Sequence, residues 1–298
     1  MDIRSLACFV AVAEELHFRR AAKRLHLTQP ALSQRINALE QEVGAVPLER
    51  DRRHVALTPA GRAFLEPARS AVANATLARA QALRTVRGEV GRLRLGFTVV
   101  ASYGVLPEAV RAFRTRFSDV EIELSEMNSP LLETALAAGE IDLGVLHPPL
   151  GTFGLATHAL PDQPLVLALP AAHPLAAKAV VQVTDLDGEP FLIAPRAIGP
   201  IIYDRILALF QAEGFSPRIV QEVSPMTTLT GLAAAGAGMG FVTAGIAEVG
   251  RPGVVFRPVQ PEPPQLPMAA AWREPDLSIV SRRFLDVVAE LCQPAASP

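Results

Sequence analysis

Apolar residues recur at helical spacing along the N-terminal part of the chain, and this pattern predicts three helices in succession. The first covers residues 2–16, where the periodic positions share one side. Two shorter helices follow within residues 18–44, joined by a tight turn. The inward positions are Leu6, Phe9, Val10, Ala13, Ala21, Ala22, Leu25, Leu27, Leu32, Ile36 and Leu39. A compact helical domain is therefore expected at this end of the chain.

The third of these helices carries polar side chains on its solvent side. Thr28 stands where an N-cap belongs, and Pro30 fits the first turn, where its missing N–H costs nothing. Such side chains can donate to and accept from base edges and phosphates in a DNA major groove. The pattern predicts a helix-turn-helix, while an ordinary helical hairpin with a solvated polar face fits the pattern alone about as well. The polar positions are Gln29, Ser33, Gln34 and Asn37, with Arg35 close by.

A charged turn between two short extended runs follows at residues 46–57. This arrangement predicts a wing in which Arg50, Arg52 and Arg53 approach phosphates or a minor groove. A run of charges is usually only a solvated turn. Its position directly after a helix-turn-helix favours the functional interpretation here.

A long helix is predicted over residues 60–87. Its stripe is rich in alanine, including Ala71 and Ala75, and small side chains allow a second helix to approach closely. We therefore expect this helix to pair two chains. Pro67 lies inside it, where a kink or a lost hydrogen bond is expected. Residues 87–91 (RGEVG) form the predicted hinge to the rest of the chain.

Strand-like and helix-like periods alternate after residue 91. This order predicts right-handed βαβ crossovers, a largely parallel sheet and two α/β lobes joined by two crossing segments. One helix is expected to begin with Ser129 as its N-cap and Pro130 as its first residue. The strand-like runs are 93–97, 120–127, 141–147, 165–169, 190–194, 218–223, 240–242 and 269–273.

The cleft between such lobes is the predicted ligand site. Helix N-termini after the strands offer free N–H groups and a dipole that attracts an anion. Any one of these polar residues would more often be a mere helix cap, but their placement on both lobes favours a pocket. His147, at a strand end, is placed where it can face this cleft, but a satisfied structural histidine is the favoured interpretation. The candidate residues are Thr98, Val99, Val100, Ser102, Asn128 and Ser129 on one lobe, and Pro195, Ile201, Thr227 and Thr228 on the other.

Two stretches near the N-terminus, FRRAAKRLHLTQPALSQRINALEQEVG and PLERDRRHVALTPAGRAFL, resemble the LysR-type transcriptional regulators. The resemblance extends over the whole chain. It implies a winged helix-turn-helix at residues 1–59, a dimerising linker helix and hinge at 60–90, and an effector-binding domain at 91–298. That domain would have a two-lobed, periplasmic-binding-protein-like fold, with lobe I at 91–162 and 268–298 and lobe II at 163–267.

The resemblance also implies partners and contact residues. It places Gln29, Pro30, Ala31, Ser33, Gln34 and Arg53 at the family's DNA contacts. Expected partners are double-stranded operator DNA, a small organic acid as effector, RNA polymerase, and further copies of the chain in a dimer or a tetramer built from dimers. The subgroup that senses small carboxylates in aromatic catabolism looks most similar. Two departures are Arg19, where the family often has a small hydroxyl cap, and the order of Gln34 and Arg35.

Composition supports a DNA-binding N-terminal part. Residues 1–90 hold 14 Lys and Arg against 9 Asp and Glu, a balance of +5, whereas the rest holds 14 against 21, a balance of −7. Neither a secretory signal nor a membrane-length apolar run is seen, so a cytoplasmic protein is expected. Cys8 and Cys292 imply no disulfide framework.

Other function classes fit less well. The six histidines lack metal-ligand spacing, and neither a nucleophile elbow nor a dinucleotide fingerprint is present, so we expect no enzyme, cofactor or metal. A solute-binding protein for transport would share the two-lobed body. The N-terminal domain disfavours that alternative. A ligand-responsive transcription factor is the predicted function.

Overall fold

The computed structural model describes residues 1–50 and 54–292, and the chain divides into two compact units. The first unit, here called the head, runs from Met1 to Val86, and the second, the body, begins at Arg87. Within the described residues, no helix is both long and apolar enough to cross a membrane.

The head contains helices and a small two-stranded wing. Its elements are α1 (Ile3–Glu15), α2 (Phe18–Arg24), α3 (Gln29–Val43), β1 (Leu48–Arg50), β2 (Val55–Leu57) and α4 (Pro59–Val86). The wing strands pair antiparallel. The N-cap of α2 is His17, whose Nδ1 accepts from the backbone N–H groups of Arg19 and Arg20. An imidazole at this position thus supplies the cap that Arg19 itself cannot.

The core of the head forms where α1 packs against α3 and α4. Phe9, Leu32, Ile36 and Leu39 are completely buried, as the helical spacing predicts. The rings of Phe9 and Phe64 lie 5.2 Å apart between their centroids. This aromatic contact joins α1 to the start of the long helix.

Two glycines allow the turns that close this small domain. Gly44 ends α3 at a φ of 69°, a left-handed conformation that glycine adopts without a steric penalty. At Gly61, a side-chain Cβ would lie 2.0 Å from the carbonyl oxygen of Pro47, so only glycine lets α4 pass this close to the wing.

The long helix α4 continues through Pro67 from Pro59 to Val86. Its first half packs on the core of the head, because Ala68 is buried and Ala71 contacts that core. Ala71, which was predicted to contact a second chain, therefore contacts the head core of its own chain. Farther along, Leu77, Leu83 and Val86 leave large apolar side chains exposed.

Among the described residues, the first lobe of the body is built on a five-stranded sheet with the order β4-β3-β5-β14-β6. Strand β3 pairs parallel with β4 and β5, whereas β14 pairs antiparallel with β5 and β6. The elements of this lobe are β3 (Val90–Phe97), α5 (Leu106–Arg116), β4 (Asp119–Glu126), α6 (Ser129–Ala138), β5 (Leu143–Leu146), β6 (Leu155–Gln163), β14 (Leu266–Arg273) and α10 (Ile279–Cys292).

The second lobe is inserted between β6 and β14. Strand β7 pairs antiparallel with β11 and β12, and β9 pairs parallel with β10. Its elements are β7 (Leu165–Pro170), β8 (Val181–Gln182), β9 (Pro190–Ile193), α7 (Pro200–Ala212), β10 (Arg218–Glu222), α8 (Met226–Ala234), β11 (Gly240–Thr243), α9 (Ala244–Val249), β12 (Val254–Arg257) and β13 (Val259–Gln260). The chain thus crosses between lobes twice, after β6 and before β14.

Two local expectations about the body were wrong. The five-stranded sheet is mixed, because β14 alone runs opposite to its other strands, and β7 pairs antiparallel with both of its neighbours. The alternating pattern also did not reveal β6. The N-cap of α6 is Asn128, whose Oδ1 accepts from the backbone N–H of Leu131, and Ser129 is the first helical residue. An asparagine is as good a cap as a serine, so sequence preference alone could not place the boundary.

Candidate functional sites

Helix α3 presents a polar surface opposite its buried stripe. The hydroxyl of Thr28 caps it by accepting from the backbone N–H of Ala31, at 3.4 Å. Of the predicted contact residues, Gln29, Pro30 and Gln34 are exposed, whereas Ala31, Ser33 and Arg35 are half-buried. Exposed amide side chains at the start of a capped helix suit the reading of base edges.

The predicted basic contacts have different surroundings. Arg50 forms an ion pair with Glu40 and places its guanidinium 5.5 Å from the centre of the Phe18 ring. This arginine therefore ties the wing to α2 and α3. Arg35 lies close enough to the start of α1 for its charge to act on the Asp2 carboxyl. The pKa of that carboxyl is lowered first by the hydrogen bond from the Ser5 backbone N–H, and the charge of Arg35 lowers it further by a smaller amount. Arg52 and Arg53 lie outside the described residues.

A cavity of about 680 Å³ lies between the two lobes of the body. Helix starts from both lobes line it: the turn after β3, the first residues of α6, and the starts of α7 and α8. The first N–H groups of a helix have no partner within the helix, so they point hydrogen-bond donors at such a space. The volume fits a small organic molecule.

His147 organises the polar side of this cavity. Its Nδ1 lies 2.8 Å from the carbonyl oxygen of Pro267, which can only accept, so Nδ1 carries the proton. Nε2 then accepts from the hydroxyl of Thr98 at 3.1 Å. Burial lowers the pKa of His147, an effect partly opposed by its bond to Pro267, so the imidazole is held neutral. His147 therefore lines the cavity with both ring nitrogens bonded to protein groups, and it orients Thr98.

Ser129 and Glu133 lie one helical turn apart on α6 and face the same side. The Ser129 hydroxyl accepts from the backbone N–H of His147 at 3.1 Å, and its own proton stays available to a ligand. The Oε2 atom of Glu133 accepts from the backbone N–H groups of Gly151 and Thr152, each at 2.8 Å. Glu133 thus fixes the loop that follows β5 as one wall of the cavity.

The predicted effector residues fall into two groups. Thr98, Val99, Val100, Asn128, Ser129 and Ile201 line the cavity. Ser102, Pro195, Thr227 and Thr228 do not. Ser102 donates to the carbonyl oxygen of Val99, and the carbonyl of Thr227 accepts from Thr230 within α8. These groups serve local helix geometry.

Several lining residues were missed by the sequence interpretation. Glu133 could have been found from its spacing to Ser129, which places both on one helix face. The loop after β5 carried no signal, because its wall is made by proline, leucine and glycine. The main missed residues are Glu126, Met127, Glu133, Pro148, Pro149, Leu150, Gly151, Thr152 and Pro225.

A capped recognition helix with a wing, joined to a two-lobed body with a central cavity, defines a ligand-responsive DNA-binding protein. Comparison with known protein families supports this class of protein. Residues 3–62 match the model described as bacterial regulatory helix-turn-helix protein, lysR family, and residues 87–293 match the LysR substrate binding domain. The chain belongs to the LysR family of transcriptional regulators.

Individual relatives extend over nearly the whole chain. The transcriptional regulator AlsR of Bacillus subtilis (strain 168) is 41% identical over 91% of this chain and 89% of its own length. The Hca operon transcriptional activator HcaR of Escherichia coli (strain K12) is 34% identical, covering 97% of this chain and 98% of its own. Both of these relatives are regulators of transcription.

Solved structures show the same architecture. The crystal structure of CbnR, a LysR family transcriptional regulator, is 30% identical with a TM-score of 0.86, and the match covers 97% of this chain and all (100%) of that one. Full-length CbnR in complex with its target DNA is 29% identical with a TM-score of 0.79, covering 98% and 100%. The fold of this chain is thus one that binds DNA in a solved complex.

Proposed function

We propose that this regulator senses a small organic acid in the cavity between its lobes and changes transcription in response. The observation that carries the proposal is the cavity of about 680 Å³, lined by helix starts from both lobes. The chain would act in the cytoplasm as a dimer or a tetramer built from dimers, with RNA polymerase as its partner at the promoter. No catalytic step is part of this proposal.

The chemistry of the lining supports an acid. Ser129 retains a hydroxyl proton, and the Asn128 amide nitrogen is free of the cap because only Oδ1 makes that bond. Orphan N–H groups at the starts of α6, α7 and α8 add donors with a favourable dipole. A single carboxylate would find several donors here. Assignment to aromatic catabolites stays a prediction.

Control of DNA binding would follow from population shift. A ligand held by both lobes favours the lobe arrangement that it binds more tightly, and only by that difference in affinity. Residues 87–91 connect body and head, with Gly88 at a φ of 68° between α4 and β3. A change in the body would therefore alter the spacing of two heads on DNA.

Replacing Ser129 with alanine is expected to weaken effector binding by about 1–3 kcal/mol, because the ligand loses a hydroxyl donor. Thr98→Val should also weaken binding, because it removes the hydrogen bond that the Thr98 hydroxyl donates to Nε2 of His147. Thr227→Val is the matched control, because Thr227 does not line the cavity. Calorimetric titration with small organic acids, alongside operator gel shifts without ligand, measures both functions. Wild-type affinity in both cavity variants would contradict the proposed site.

A further inference from the structure

The charges that line the cavity limit the ligand more narrowly than its volume does. Two carboxylate side chains, Glu126 and Glu133, border the space. Among the lining residues in the described part of the chain, none is lysine or arginine. His147 supplies no charge either, because both of its ring nitrogens are engaged by neutral protein groups.

Glu133 is the more important of the two carboxylates. Glu133 is only 8% exposed. The backbone N–H groups of Gly151 and Thr152 both donate to its Oε2 atom, which fixes the carboxylate against that wall of the cavity. Water screens this charge far less than it screens the exposed Glu126. A second negative charge brought into the same cavity would meet Glu133 without a cation to offset it.

Hydrogen-bond polarity on this side points the same way. The proton of the Thr98 hydroxyl goes to Nε2 of His147, so Thr98 offers a ligand only its oxygen as acceptor. A carboxylate such as Glu133 also accepts and does not donate. A ligand group that donates, such as a hydroxyl, satisfies both; a second carboxylate satisfies neither.

We infer that Glu133 is a specificity-determining residue, and that the effector carries at most one negative charge, with a hydroxyl or apolar group at the Glu133 side. Dicarboxylates of equal size are excluded by charge. This inference rests on the proposed function, which supplies a small organic acid as the ligand class, and it restricts that class to monoanions.

The test compares matched acids on the full chain by calorimetry. The probes are short aliphatic and single-ring aromatic monocarboxylates, for example butanoate and benzoate. Each is paired with the dicarboxylate, succinate or terephthalate, and with the hydroxyl analogue, gamma-hydroxybutanoate or para-hydroxybenzoate. Wild-type protein is expected to bind a monocarboxylate or its hydroxyl analogue at least about tenfold more tightly than the paired dicarboxylate.

The variant Glu133→Gln removes the charge and keeps an oxygen that accepts from the loop. It should shift the ratio of the two affinities towards the dicarboxylate by about tenfold, whereas Glu126→Gln, at the exposed rim, should shift it far less. Thermal melting of each variant checks that it is folded; should Glu133→Gln fail to fold, Glu133→Asp must keep the wild-type preference.

The outcomes separate the two proposals. A dicarboxylate that binds wild-type protein as tightly as its monocarboxylate, or a ratio unchanged in Glu133→Gln, overturns the inference and leaves the acid-sensing function standing. Absence of binding by every acid in the series contradicts the proposed function itself, and the inference falls with it.

Discussion

Replacing Phe9 with alanine is expected to destabilise the head by about 3–5 kcal/mol. Phe9 is completely buried in α1, and its ring contacts Phe64 of α4. Truncation leaves a cavity where α1, α3 and α4 meet, and a small domain cannot close it without moving the recognition helix. Hydrogen exchange of the full chain measures the effect as lost protection of the amides in α1 and α3, and operator binding should fall with it.

A matched control for this truncation is Val46→Ala. Val46 is 61% exposed, so truncation of its side chain should change the free energy of unfolding of the head by no more than about 0.5 kcal/mol. Equal protection in Phe9→Ala and Val46→Ala would mean that Phe9 is not the centre of the head core. Protection in the body should be the same in both variants.

Replacing Leu77 with glutamate is expected to raise the dissociation constant for pairing of two chains about a hundredfold or more. Leu77 is 55% exposed in the single chain, on the part of α4 that extends beyond the contacts of Ala71 with the head core. Burying an unpaired carboxylate between two helices costs about 3 kcal/mol or more, which corresponds to that factor. Sedimentation velocity over a concentration series measures it.

The control at this position is Leu77→Met, which keeps an apolar side chain of similar volume and should leave assembly unchanged. If Leu77→Glu sediments as wild type does, the pairing surface lies elsewhere on the chain. Ala71, in the alanine-rich stripe of the same helix, is a poorer test position, because a glutamate there would also disturb the core of the head.

The helices of the head were predictable because one apolar period runs through each of them. Leu32, Ile36 and Leu39 are buried where the spacing puts them, and the Thr28 cap is formed. Local signals also explain the end of α3 at Gly44. The cap of α2 was not predictable from preference, since histidine is not among the favoured N-cap residues.

In the body, local sequence patterns predict less of the structure than they do in the head. Alternating periods indicate strands and helices, but strand direction depends on contacts between distant segments, so the antiparallel pairing of β14 with β6 could not be read from the pattern. In the cavity, Thr98 and Ser129 were found as caps or hydroxyls at helix starts. Glu133 and the wall at residues 148–152 were missed, because their role arises from backbone N–H groups that meet a side chain across the fold.

The central claim is that α3 reads a DNA sequence, and one measurement tests it most directly. Fluorescence anisotropy compares the affinity of the full chain for a fragment from upstream of its own gene with that for the same fragment scrambled, at physiological salt. We expect a preference of about a thousandfold or more for the native fragment. Gln29→Ala should reduce that preference while nonspecific affinity persists. Equal affinity of the wild-type protein for native and scrambled DNA would contradict the reading of a DNA sequence by α3.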